Sequence, residues 1–158
     1  MGQQQLLLLV LATVIVGLAT VAGIQAFEQG QTRANQDALT QNAVKIASDI
    51  QAKAKEPSQF GGGDGTLDSD WKISELGYDA SASASLLDNN GNGDGVYSTS
   101  AGECTVGSGK VGPSSGSGAS EPTGSIFVSC ASESNHVVVG VNGTDPSQIN
   151  TNAVTTAS

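Results

Sequence analysis

The sequence predicts an α+β protein: one long N-terminal α-helix of about 50 residues, with a small C-terminal antiparallel β-sheet head packed on its second half. Three observations predict this class. Residues 6–24 carry no charge and are almost all apolar. Residues 28–55 contain no proline and repeat their apolar positions at helical spacing. After Pro57 the chain turns Gly/Ser-rich and acidic, and its late apolar runs are short, β-branched and bounded by turn formers. The chain therefore divides into three segments: a hydrophobic half-helix (1–27), an amphipathic half-helix (28–56) and a β head (57–158).

The first segment begins GQQQ and runs from Leu6 to Ile24 without an ionisable side chain. At 1.5 Å per residue this run covers about 28 Å, enough to cross a bilayer core. It exceeds the apolar region of a signal peptide and lacks the basic residues that precede one. In the second segment Leu39, Ala43, Ile46, Ile50 and Ala54 fall on one helix face. Gly30 weakens the helix by about 1 kcal/mol relative to alanine. Lys53 and Lys55 suit the negative end of the helix dipole, and Pro57 stops the helix.

Within the head, residues 58–100 read as turns with apolar patches around Trp71, Leu76, Tyr78 and Leu86-Leu87. GECTVGSGKVG is a weak strand or strand pair, and residues 113–124 read as an exposed Gly/Ser loop. SIFVSCA and HVVVGVNG are the clearest strands, joined as an antiparallel hairpin. Val137, Val139 and Val141 then share one side, facing the amphipathic helix. The tail after Thr144 has little core-forming content and reads as extended or frayed.

Charge narrows the partners. The formal net charge is -9. Residues 1–56 balance four bases with four acids, so the excess of acid lies in the head. Phosphate recognition needs a basic surface, and nucleic acid is excluded as an expected partner. Cys104 and Cys130, in a chain with an export-like first segment, read as one disulfide, the alternative being two buried thiols. Two cysteines and the single His136 make a poor zinc set.

Gly2 ahead of the glutamines, the run Leu6 to Ile24, the amphipathic extension to Lys55 and a Cys-bearing β region together resemble the type IV pilin superfamily. The resemblance covers the first 56 residues well and the head by architecture alone. It implies a structural pilin that homopolymerises into a helical filament at the cell surface. Its polymerisation residues are Leu6, Leu7, Leu8, Leu9, Val10, Leu11, Val14, Ile15, Val16, Gly17, Leu18, Val21, Gly23 and Ile24. The same segment rests in the cytoplasmic membrane before assembly by inner-membrane machinery. The family's prepilin peptidase cuts after a glycine, which here is the bond between Gly2 and Gln3. Two departures stand out. Met-Gly has no basic leader, and the fifth mature residue is Leu7 after such a cut, or Gln5 if the chain starts at Met1. Neither is the glutamate of bacterial members. The missing acid, the glutamines and the absence of a mid-helix proline resemble archaeal-type pilins. Thr13, Gly17, Ala19, Thr20 and Gly23 are small enough for close helix approach, or are ordinary tolerance of glycine in an apolar helix. The alternatives are a pseudopilin of a type II secretion system and a membrane-anchored surface domain that never polymerises.

Asp88, Asn90, Asn92 and Asp94, around Gly93, follow the start of an EF-hand-like loop, which makes calcium the candidate cofactor. Thr99 stands where the bidentate glutamate belongs, and a polar Asn-Gly turn is the competing reading. Asp64, Asp68 and Asp70 read as a solvated turn, and His136 as a surface or strand-edge histidine. Asn142-Gly143-Thr144 is an N-glycosylation sequon on a turn. No nucleophile, base and oxyanion donor group together, and an enzyme is not expected.

Overall fold

The computed structural model describes residues 2–68, 71–80, 95–107, 126–133 and 135–155, with the backbone alone described for 152–155. Helix α1 spans Gly2–Lys55 without interruption. The chain divides after Ala34 into two units, Met1–Ala34 and Asn35–Ser158. The first is helix only. The second contains the last turns of α1 and five strands: β1 (Tyr97–Thr99), β2 (Gly102–Gly107), β3 (Ile126–Ala131), β4 (Asn135–Val141) and β5 (Ile149–Thr155).

All neighbouring strands are antiparallel and follow chain order, so the sheet is a simple meander. Its alternation lays down rows of side chains on the inner face. Cys104, Cys130 and Val137 stand opposite one another in one row, and Val106, Val128 and Val139 in the next. A third row begins with Ile126 beside Val141. All of these are buried and form one core with Leu39, Ala43, Ile46, Ala47, Ile50 and Ala54 of α1. The predicted helix stripe and valine face thus meet. Trp71 and Ile73 close the same core, Ile73 from a short 3-10 turn at Ile73–Leu76.

Cys104 and Cys130 are disulfide-bonded, Cα to Cα 4.1 Å, at directly opposed positions of β2 and β3. Of the two sequence readings, the disulfide is the one found. The other sheet face is also well covered along β3: Phe127, Ser129 and Ala131 are buried. On the adjoining strands of that face, Thr105 and His136 are buried too. His136 is therefore not a surface residue, contrary to expectation. It lies inside a strand paired on both sides, opposite Ala131 and Val154.

Of the two readings of the tail, extended or frayed, the extended one is found. Residues 149–155 pair along the full length of β4 rather than fraying. The backbone groups of β4 beyond β3 need partners, and Ile149, Thr151, Val154 and Thr155 supply β-branched residues for a strand.

The helix end is capped by backbone. Gly63 and Gly65 donate to the carbonyls of Lys53 and Ala54 at 3.3 and 2.7 Å, and Asp64 donates to Glu56 at 3.1 Å. These carbonyls lack intrahelical partners at a helix end, so the glycine-rich stretch completes the fold. A Cβ on Gly62 would lie 2.2 Å from the Glu56 oxygen, which explains why the wrap is built from glycine.

Candidate functional site

The residues singled out for assembly lie in the first unit. In a helix six consecutive residues sweep all azimuths. Leu6 to Leu11 are each between 51 and 68 % exposed, so every face of that stretch is open. Val14, Ile15, Val16, Leu18, Val21 and Ile24 continue in the same way. Gly17 and Gly23 face open space, since a Cβ on either would meet nothing within 4 Å. Gly2 and Gln3 occupy the exposed first turn.

Polar groups in this stretch are satisfied locally. The Thr13 hydroxyl donates to the Val10 carbonyl and the Thr20 hydroxyl to the Gly17 carbonyl, each at 2.8 Å. Backbone groups are bonded within the helix, so residues 6–24 offer an apolar surface of the kind that needs no water. Among the described residues, α1 is the one helix long and apolar enough to cross a membrane, with mean hydropathy 2.7 over its most apolar window. Burying its twelve exposed aliphatic side chains contributes on the order of 15 kcal/mol before ordering costs, taking about 1 to 2 kcal/mol for each partly exposed side chain.

The second unit carries polar side chains where helix and sheet meet. Gln51, 5 % exposed, donates through Nε2 to the carbonyls of Gly143 and Asp145 at 2.8 and 2.7 Å. It ties the β4–β5 connection to α1. Asp145 and Gln148 form a reciprocal capping box in that connection. Gln51 was not singled out from the sequence, although it lies four residues after Ala47 and three before Ala54, on the buried face.

On the flank of α1, the Tyr78 hydroxyl donates to the Asp49 carboxylate. Burial, then the hydrogen bond to Asp49 and the Asp49 charge, push the Tyr78 phenol well above its usual range. Lys45 lies over the Tyr78 ring at 5.8 Å, and Tyr97 packs against it at 4.8 Å between centroids. Lys53 pairs with Glu75 at 3.4 Å and lies over Trp71 at 5.4 Å. These contacts fasten residues 71–80 to the helix.

Asp88, Asn90, Asn92 and Asp94 lie outside the described residues, as do Asp70 and Leu86-Leu87. Asp64 accepts a hydrogen bond from the Ser58 amide at 3.3 Å, within the helix-capping wrap. Among the described residues, no group of three or more His, Cys, Asp or Glu is placed to hold a metal ion. Asn142 is exposed at the start of the β4–β5 connection. No protein-family model, curated protein or solved structure matches the chain.

Proposed function

We propose that this chain is the non-catalytic structural subunit of an extracellular filament of the type IV pilus kind. It polymerises through residues 6–24 and rests in the cytoplasmic membrane through the same residues before assembly. One observation carries the reading: a single helix whose residues from Leu39 bury one face under their own β-sheet, while Leu6 to Ile24 are exposed on every side. A groove-binding partner or a dimer covers one face of a helix. An all-round apolar surface needs neighbours in every direction, as in the core of a helical polymer, or lipid.

Lipid is the basis of the second reading, a membrane-anchored surface domain that stays monomeric. The span and hydropathy of α1 favour it equally. Electron cryo-microscopy of material sheared from the cell surface separates the two. The filament reading expects a helical fibre with Leu6 to Ile24 buried in its core. Recovery of the chain solely as dispersed protein in the membrane fraction refutes the filament and leaves the anchor.

A further inference from the structure

We propose that Tyr78 and Tyr97 form an oxidative cross-linking site, at which a one-electron oxidant joins the two rings as dityrosine. These are the only two tyrosines in the chain. They come from different elements, Tyr78 following the 3-10 turn at Ile73–Leu76 and Tyr97 opening β1. Their ring centroids nevertheless lie 4.8 Å apart, with the ring planes inclined at 56°. At that separation the rings touch, so a bond between them asks for rotation of side chains already in contact. Both residues are half-buried, held against the core yet open to a small oxidant. Tyr97 stands opposite Cys104 in the register of β1 and β2, which turns it toward the helix side of the sheet.

The surroundings of Tyr78 suit the loss of an electron together with a proton. Its hydroxyl donates to the Asp49 carboxylate, which is a proton acceptor already in place. Lys45 lies over the ring at 5.8 Å from its centroid, and that charge penalises a ring left positive. Each phenol gives up one electron and one proton, the Tyr78 proton passing to Asp49. The two phenoxyl radicals couple through ring carbons ortho to the oxygens, forming one carbon–carbon bond. Each coupled carbon then yields its hydrogen, as a proton, to its own ring oxygen by way of solvent, which restores both aromatic rings and both hydroxyls. The co-reactant is hydrogen peroxide, used by a haem peroxidase in one-electron steps. It takes up the two electrons and two protons and leaves as two waters. The product ties residues 71–80 to β1, beside the Cys104–Cys130 bond that ties β2 to β3. The inference holds whether or not the chain polymerises.

The test is photo-oxidation of the dilute full-length protein in detergent micelles, with a ruthenium tris-bipyridyl dye and persulfate as the one-electron oxidant. The expected product is a monomer lighter by two hydrogen atoms, with the blue emission of dityrosine and a peptide map joining Tyr78 to Tyr97. Tyr78→Phe and Tyr97→Phe, each of which keeps a ring in place, should abolish it. Trp71 emission, read before illumination, establishes that each variant is folded. Asp49→Asn should slow the reaction by about tenfold or more, and an unchanged rate overturns the proton route through Asp49. Unfolding in urea should lower the yield of cross-linked monomer by about tenfold, since the rings then meet only by chance. An equal yield in urea overturns the site, as does a folded monomer without dityrosine or a cross-link found solely between two chains.

Discussion

The Cys104–Cys130 bond is the most quantifiable element of the head. It closes a loop of 26 residues between strands that also pair through the sheet. In the chain-entropy treatment, a loop of this length restricts the unfolded chain by about 3.5 kcal/mol at 25 °C. Replacing both cysteines with alanine also removes two fully buried sulfur atoms, which adds about 1 kcal/mol for the space left behind. Cys104→Ala with Cys130→Ala is therefore expected to cost about 4 to 5 kcal/mol, much of an ordinary domain's stability. Trp71 is the sole tryptophan and is 6 % exposed in the same core, so its emission reports the unfolding of the head. The assay is a urea titration of the full-length protein in detergent micelles, with and without the substitutions. A loss under about 1 kcal/mol with unchanged urea dependence would refute the argument, because the unfolded chain would then gain almost no freedom from the cut.

The remaining predictions use the same titration or a simple fractionation. Gln51→Ala removes two hydrogen bonds and should cost about 2 kcal/mol. Gln51→Glu should cost at least as much, because a carboxylate would then face the carbonyls of Gly143 and Asp145. Tyr78 is raised above its ordinary value of 10.0, so the folded head holds this proton when the unfolded chain releases it. Its contribution is complete below pH 10 and falls as pH rises beyond; Tyr78→Phe should flatten that alkaline loss in pH-dependent unfolding. Gly17→Leu meets nothing within its own chain and increases hydropathy. It should leave membrane retention intact while abolishing sheared fibres if helices approach closely at that position. Fibres at wild-type yield would refute close packing there. In sheared fibres, N-terminal sequencing should begin at Gln3.

The parts of the fold legible in the sequence are those carried by periodicity. Leu39, Ala43, Ile46, Ile50 and Ala54 announce a helix face, and Val137, Val139 and Val141 announce a strand face. Each set needs only the geometry of its own element to be read. Strand β5 was not legible, because INTNAVT has few large apolar residues and becomes a strand by completing the hydrogen bonding of β4. The buried positions of His136 and Ser129 follow from coverage of the second sheet face, a tertiary fact without a local signature. Gln51 was masked by its own polarity, although helical spacing places it on the buried face. The apolar run from Leu6 to Ile24 was legible as composition. What surrounds it was not, since the structure shows these side chains only as exposed.

The order of the core along the chain has a consequence in time. The helical half of the core, Leu39 to Ala54, leaves the ribosome well before the strand residues Val137 to Val141 that cover it. At about 5 to 20 residues per second, that interval is on the order of ten seconds. Throughout it, Leu39, Ile46 and Ile50 have no sheet to lie against, and neither cysteine has its partner until Cys130 emerges. The meander then adds each strand to the one just before it, so pairing itself demands no long search. The delay falls on the helix, which must be kept from other nascent chains until its own sheet arrives.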